Sequence, residues 1–183
     1  MHYIINSLTL MRVLLAPIIF LCITELEIFG ITIFLFLLAS ISDFLDGYLA
    51  RKYNLASELG RILDPIADKI LVTFTLVALT LNLDSFYIGM MTSFILAREF
   101  WVSALREVNA IENNLSATKV TFLAKIKTST QFIAIAGYIL GLYLSLPMLI
   151  FISNFILFAA VLITLITGLE YSKNTFRVPT HKE

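Results

Sequence analysis

The chain has 183 residues, 59% of them apolar and only 14% charged, with 13 basic and 13 acidic side chains and a formal net charge of zero. A typical soluble domain is roughly 45–50% apolar, so this composition argues against one, and a neutral chain offers no broad basic face to nucleic acid. The single cysteine, Cys22, lies in an apolar run, which excludes an intramolecular disulfide framework and reads as a small hydrophobe in a helix.

In chain order, apolar runs bounded by polar or breaking residues predict six transmembrane helices at about 8–24, 28–49, 62–82, 86–108, 121–144 and 148–169. At about 20 residues per span they leave no room for a separate soluble domain. Residues 1–183 are therefore expected to form one membrane-embedded, all-α domain. The start lacks a basic cluster and a small-residue cleavage site, so the first run is expected to be a helix of the protein, not a cleaved signal. The connections at 25–27, 82–85 and 145–147 carry Glu25, Glu27 and Asp84 but no Lys or Arg. All 13 basic residues fall on the opposite side, which the positive-inside rule makes cytoplasmic, with both termini there and the chain in the cell (inner) membrane.

Four aspartates stand where the second span ends and the third begins. Asp43 and Asp46 are three apart, with Gly47 beside them and Ala50 and Arg51 a turn further on; Asp64 and Asp68 are four apart, with Gly60 a turn before. A hairpin of these two spans would bring the four carboxylates together near the cytoplasmic boundary. A carboxylate at the bilayer centre costs about 2.5–3.5 kcal/mol, and mutual repulsion adds to that. A neutralising cation is needed, and hard oxygen donors without Cys or His suit Mg²⁺ or Mn²⁺, not zinc. Gly47 and Gly60 leave space for a ligand or a facing helix. Pro65 either kinks the third span or opens its helix with Asp64 as the cap; the sequence leaves both open.

The string D-x2-D-G-x2-A-R-x8-G-x3-D-x3-D over residues 43–68 resembles the signature of the CDP-alcohol phosphotransferases at every fixed position. The resemblance implies a six-helix membrane enzyme, commonly a homodimer, that transfers a phosphatidyl or related group from a CDP-linked donor to an alcohol and releases CMP. It implies that Asp43, Asp46, Asp64 and Asp68 hold the metal, two ions of Mg²⁺ or Mn²⁺, and that Asp68 is the general base. It also implies that Gly47, Ala50, Arg51, Ser57 and Gly60 line the CDP-diacylglycerol site. Asn6, Thr9 and Arg12 resemble an N-terminal N-x2-T-x2-R element that approaches the same donor, with Ile5 where a proline often precedes the Asn.

Arg98 and Arg106 are two turns apart on one face of the fourth span, and Lys125 and Lys127 open the fifth. These four are candidates for an acceptor phosphate, although basic residues at cytoplasmic helix ends also serve orientation and lipid headgroups. The runs 97–107 and 124–131, with Asp64 to Lys69, are similar to the branch of the family that uses glycerol 3-phosphate. The implied reaction is CDP-diacylglycerol plus sn-glycerol 3-phosphate giving phosphatidylglycerol phosphate and CMP. Inositol phosphate, serine or phosphatidylglycerol as acceptor is the nearest alternative, and a divalent-cation transporter a distant one. Trp101 and Tyr48, Tyr53, Tyr87 and Tyr171 read as an interfacial aromatic belt. Gly137 and Gly141 form a G-x-x-x-G pair that marks a close helix contact, within the chain or between copies.

Overall fold

Without water to satisfy its backbone, an apolar chain folds into helices, because each N–H and C=O then pairs within its own segment. The computed structural model describes residues 2–53, 58–111 and 122–176, with side chains at 9–42, 63, 65–111 and 126–176. Six helices fill these segments: α1 (His2–Thr24), α2 (Phe29–Tyr53), α3 (Glu58–Asn82), α4 (Phe86–Ile111), α5 (Phe122–Tyr143) and α6 (Pro147–Phe176). No strand occurs among the described residues. By length and apolar composition Pro65–Asn82, Phe86–Ile111 and Pro147–Phe176 can cross a membrane, and Thr9–Thr24 and Phe29–Ser42 are shorter apolar stretches.

All the helices but α5 overrun the spans expected from hydropathy at one end or both, because polar residues that end an apolar run need not end a helix. Asn109, expected to begin a connection, is buried in α4 and donates to Thr175 Oγ1 at 2.9 Å. α6 continues past the expected end at 169 and so supplies that partner. Pro65 lies inside α3, which begins about two turns earlier, so Asp64 is not the helix cap.

Three of the turns close without glycine, the first with Glu27 at φ 51°. Asp84 and Ser145 take positive φ (44° and 54°), and each ends its helix as a Schellman motif. Ser85 N donates to Thr80 O and Asp84 N to Leu81 O, while Leu146 N donates to Gly141 O and Ser145 N to Leu142 O. Ser85 then caps α4, its Oγ accepting from Ile88 N at 3.3 Å.

α1 packs against both α2 and α3, α5 against α6 and α2, and α4 against α6 and α3. Among the described residues α1 and α5 each contact both α2 and α3. Phe20 meets Phe74 across α1 and α3, and Phe36 meets Phe132 across α2 and α5, with ring centroids 6.1 and 5.5 Å apart. Ile19, Leu71, Leu76, Ile135 and Leu157 are fully buried, whereas Leu14, Phe34, Phe100, Phe155 and Leu169 stand exposed. Large apolar side chains both inside and outside mark a bundle solvated by lipid. Several of its hydroxyls are satisfied locally: Thr75, Thr92, Ser153 and Thr175 each donate to the carbonyl four residues back.

Gly137 and Gly141 face α6 of the same chain. A Cβ on Gly141 would stand 2.8 Å from Ile150 Cγ1 and 3.2 Å from Ile150 N. The G-x-x-x-G pair is therefore accounted for by the α5–α6 contact within the chain.

Candidate active site

Helical backbone through 43–53 and 58–68 sets the register of the aspartates. Asp43 and Asp46 share one face of α2, with Gly47 adjacent and Ala50 and Arg51 a turn beyond; Asp64 and Asp68 share one face of α3, with Gly60 a turn before. The side chains of Asn6, Asp43, Asp46, Ala50, Arg51, Asp64 and Lys125 lie outside the described residues, as does Ser57 altogether.

Asp68 is partly exposed, and its Oδ1 accepts from Arg12 Nη1 at 2.6 Å. Arg12 has no solvent exposure, and Thr9, one turn earlier on α1, is equally buried. The resemblance places Arg12 near the donor; the structure places its guanidinium on the carboxylate expected to act as base. Burying an arginine is costly unless a carboxylate compensates it, so this pair fixes the register of α1 against α3 and the orientation of Asp68.

Asp68 forms one wall of a cavity of about 180 Å³ between α3, α4, α5 and α6. Arg98, Arg106 and Lys127, three of the four candidates for an acceptor phosphate, line the same cavity. Each is held differently. Arg98 is nearly buried and spends its guanidinium on protein: Nε donates to Thr164 O at 3.0 Å, Nη2 to Thr167 Oγ1 at 3.0 Å and Nη1 to Glu99 Oε1 at 3.1 Å. Gly168 permits this, since a Cβ there would stand 3.0 Å from Arg98 Cγ. Lys127, also buried, donates to the same Glu99 oxygen. Arg106 is exposed, with its guanidinium 5.6 Å from the centre of the Tyr171 ring.

Residues 3–166 match the CDP-alcohol phosphatidyltransferase family. The chain belongs to that family. Proteins named CDP-diacylglycerol–glycerol-3-phosphate 3-phosphatidyltransferase are among its relatives. That of Rickettsia bellii is 44% identical over 145 residues, covering 76% of this chain and 75% of the relative. That of Rickettsia felis is 40% identical over 178 residues, 92% of each chain. The Salmonella choleraesuis protein is 37% identical over 133 residues, covering 70% of this chain and 72% of its own.

CDP-alcohol phosphatidyltransferases are generally metal-dependent, and the residues of this chain fit a hard divalent cation. Asp68 offers carboxylate oxygen at the cavity wall, Asp43, Asp46 and Asp64 stand on helical backbone, and among the described residues no His or Cys lines the cavity.

Several cavity residues escaped the sequence reading. Lys69 donates to Ser103 Oγ at 2.7 Å and lies 3.6 Å from Glu99 Oε2. Glu99 interrupts an apolar run, which by itself marks an ionisable residue as functional. Tyr171, set aside as part of an aromatic belt, is instead a buried part of the cavity wall. Its position one turn before Thr175 on α6 is visible only once that helix is known to extend so far.

Proposed function

We propose that this member of the CDP-alcohol phosphatidyltransferase family transfers the phosphatidyl group of CDP-diacylglycerol to sn-glycerol 3-phosphate, giving phosphatidylglycerol phosphate and CMP. The observation that carries the reading is a single cavity in which Asp68 lies with Lys69, Arg98, Arg106 and Lys127. A carboxylate beside a cluster of cations suits an acceptor that brings both a hydroxyl and a phosphate. The names of relatives 37–44% identical to the chain agree with it.

In this reading Asp68 accepts the proton of the acceptor hydroxyl, whose oxygen bonds to the phosphorus that carries diacylglycerol, and the bond from that phosphorus to the CMP oxygen breaks. Arg12 holds the Asp68 carboxylate in place. Gly47, Ala50, Arg51, Ser57 and Gly60 line the donor site, with Asn6 and Thr9 nearby. Arg51 grips the pyrophosphate through paired hydrogen bonds, and Arg106, Lys125, Lys127 and Arg98 supply the positive field for the acceptor. Mg²⁺ or Mn²⁺, as two ions held by Asp43, Asp46, Asp64 and Asp68, supplies charge that offsets the pyrophosphate. The chain acts as one membrane-embedded unit of six spans and pairs into a homodimer. Its site faces the cytoplasm from the inner membrane, where the lipid donor enters laterally and the soluble acceptor arrives from water.

The test is CMP release by purified protein given CDP-diacylglycerol, Mg²⁺ and a panel of alcohols. Release with glycerol 3-phosphate is expected; release only with inositol phosphate, serine or phosphatidylglycerol overturns the acceptor and keeps the family. A reporter fused after residue 84 that reads as cytoplasmic would overturn the orientation.

A further inference from the structure

Glu99 contacts three cations, and they come from three helices. Its Oε1 accepts from Lys127 of α5 and from Arg98 of α4, and its Oε2 lies 3.6 Å from Lys69 of α3. Its side chain is 14% exposed, so these contacts replace most of its hydration. All four residues line the cavity that Asp68 shares.

The two oxygens serve different partners. Oε1 binds the buried pair, and Arg98 is further fixed by Thr164 and Thr167. Oε2 faces Lys69, which is about a third exposed, bonds also to Ser103 Oγ, and follows Asp68 directly in sequence. Without a carboxylate among them, three cations gathered at one cavity would repel one another. With it, two positive charges remain, equal and opposite to a phosphate monoester dianion. A carboxylate repels phosphate, so Glu99 does not itself meet the ligand.

We infer that Glu99 is a positioning residue: it gathers Lys69, Arg98 and Lys127 into a phosphate cradle beside Asp68 and leaves Lys69 as the cation that turns to the acceptor. This rests on the proposed use of a phosphorylated acceptor.

The test measures KM for glycerol 3-phosphate and for CDP-diacylglycerol separately, in purified full-length protein. Losing the charge-assisted hydrogen bonds that Glu99 organises is expected to raise the KM for glycerol 3-phosphate in Glu99→Gln at least about tenfold. The KM for CDP-diacylglycerol should stay within about twofold, and Glu99→Asp should recover part of the loss. If Glu99→Gln fails to fold, Glu99→Gln with Lys127→Met removes the uncompensated buried cation; it should restore thermal stability and leave acceptor binding weak. The inference is overturned if both KM values rise together, if only stability falls, or if the double variant recovers normal acceptor binding. Should the wild type use a different phosphorylated acceptor, the same split read on that acceptor supports the inference while the glycerol 3-phosphate reading fails. Should it use only a neutral alcohol, both fail.

Discussion

Arg12, on a helix that holds none of the four signature aspartates, places its Nη1 2.6 Å from Oδ1 of Asp68, the expected base of the reaction. α1 touches both α2 and α3, so it is placed to set the two aspartate pairs relative to each other. Breaking a buried ion pair by deleting one partner costs about 3–5 kcal/mol, less here because Asp68 is partly exposed.

Arg12→Met keeps most of the volume and removes the clamp. CMP release should fall by about 10²-fold, the loss typical of a misoriented catalytic group, and the thermal midpoint should drop with it. Arg12→Lys should rescue stability better than turnover, since an ammonium cannot reproduce the planar geometry of a guanidinium. Turnover of Arg12→Met within about twofold of wild type, when the two are assayed side by side, would count against any role for Arg12 in placing Asp68.

Asn substitution at Asp43, Asp46, Asp64 or Asp68 should each lower CMP release by about 10²-fold or more. Removal of divalent cations with EDTA should abolish activity in the wild type, and Mg²⁺ or Mn²⁺ should restore it where Zn²⁺ does not, since the donors are all hard oxygens. Undiminished turnover in EDTA would rule out the metal reading.

The helices and the aspartate register were legible in the sequence because both depend on local spacing. Apolar runs place the six helices, and helical periodicity puts Asp64 and Asp68 on one face, a register that α3 keeps through Pro65. What the sequence could not show depends on contacts between segments distant along the chain. Arg12 resembles a donor-binding residue in its motif, yet its partner is 56 positions away. Arg98 and Lys127 read as two free cations, and only the packing of α4 and α5 against α6 reveals that Glu99, Thr164 and Thr167 already engage them. Tyr171 looked interfacial because the end of α6 carries polar residues.

Arg98 and Arg106 should separate stability from binding. Arg98→Ala removes hydrogen bonds to the Thr164 carbonyl, Thr167 and Glu99 from a nearly buried site. Its thermal midpoint should fall by about 5 °C or more. Arg106 is exposed and rests on Tyr171, a contact worth about 0.5–1 kcal/mol at such a site. Arg106→Ala should therefore unfold nearly where the wild type does, while its KM for glycerol 3-phosphate rises about tenfold. Melting curves in detergent beside acceptor titrations decide the point; the reverse pattern would mean that the roles are exchanged.

The α5–α6 contact makes a prediction that involves no catalytic group. A Cβ on Gly137 would stand 2.3 Å from Ser153 Oγ, with Ser153 Cβ next at 3.5 Å, whereas one on Gly141 would also press on the backbone nitrogen of Ile150 at 3.2 Å. A hydroxyl can be deleted, but the backbone of a packed helix must move as a unit. Overpacking of this kind costs about 1–3 kcal/mol, so both Gly137→Ala and Gly141→Ala should lower the thermal midpoint. Adding Ser153→Ala should restore most of the stability of Gly137→Ala and none of that of Gly141→Ala. If the pair instead joined two copies of the chain, Ser153→Ala would rescue neither, and both glycine variants would run as smaller particles on size exclusion with unchanged melting of the monomer.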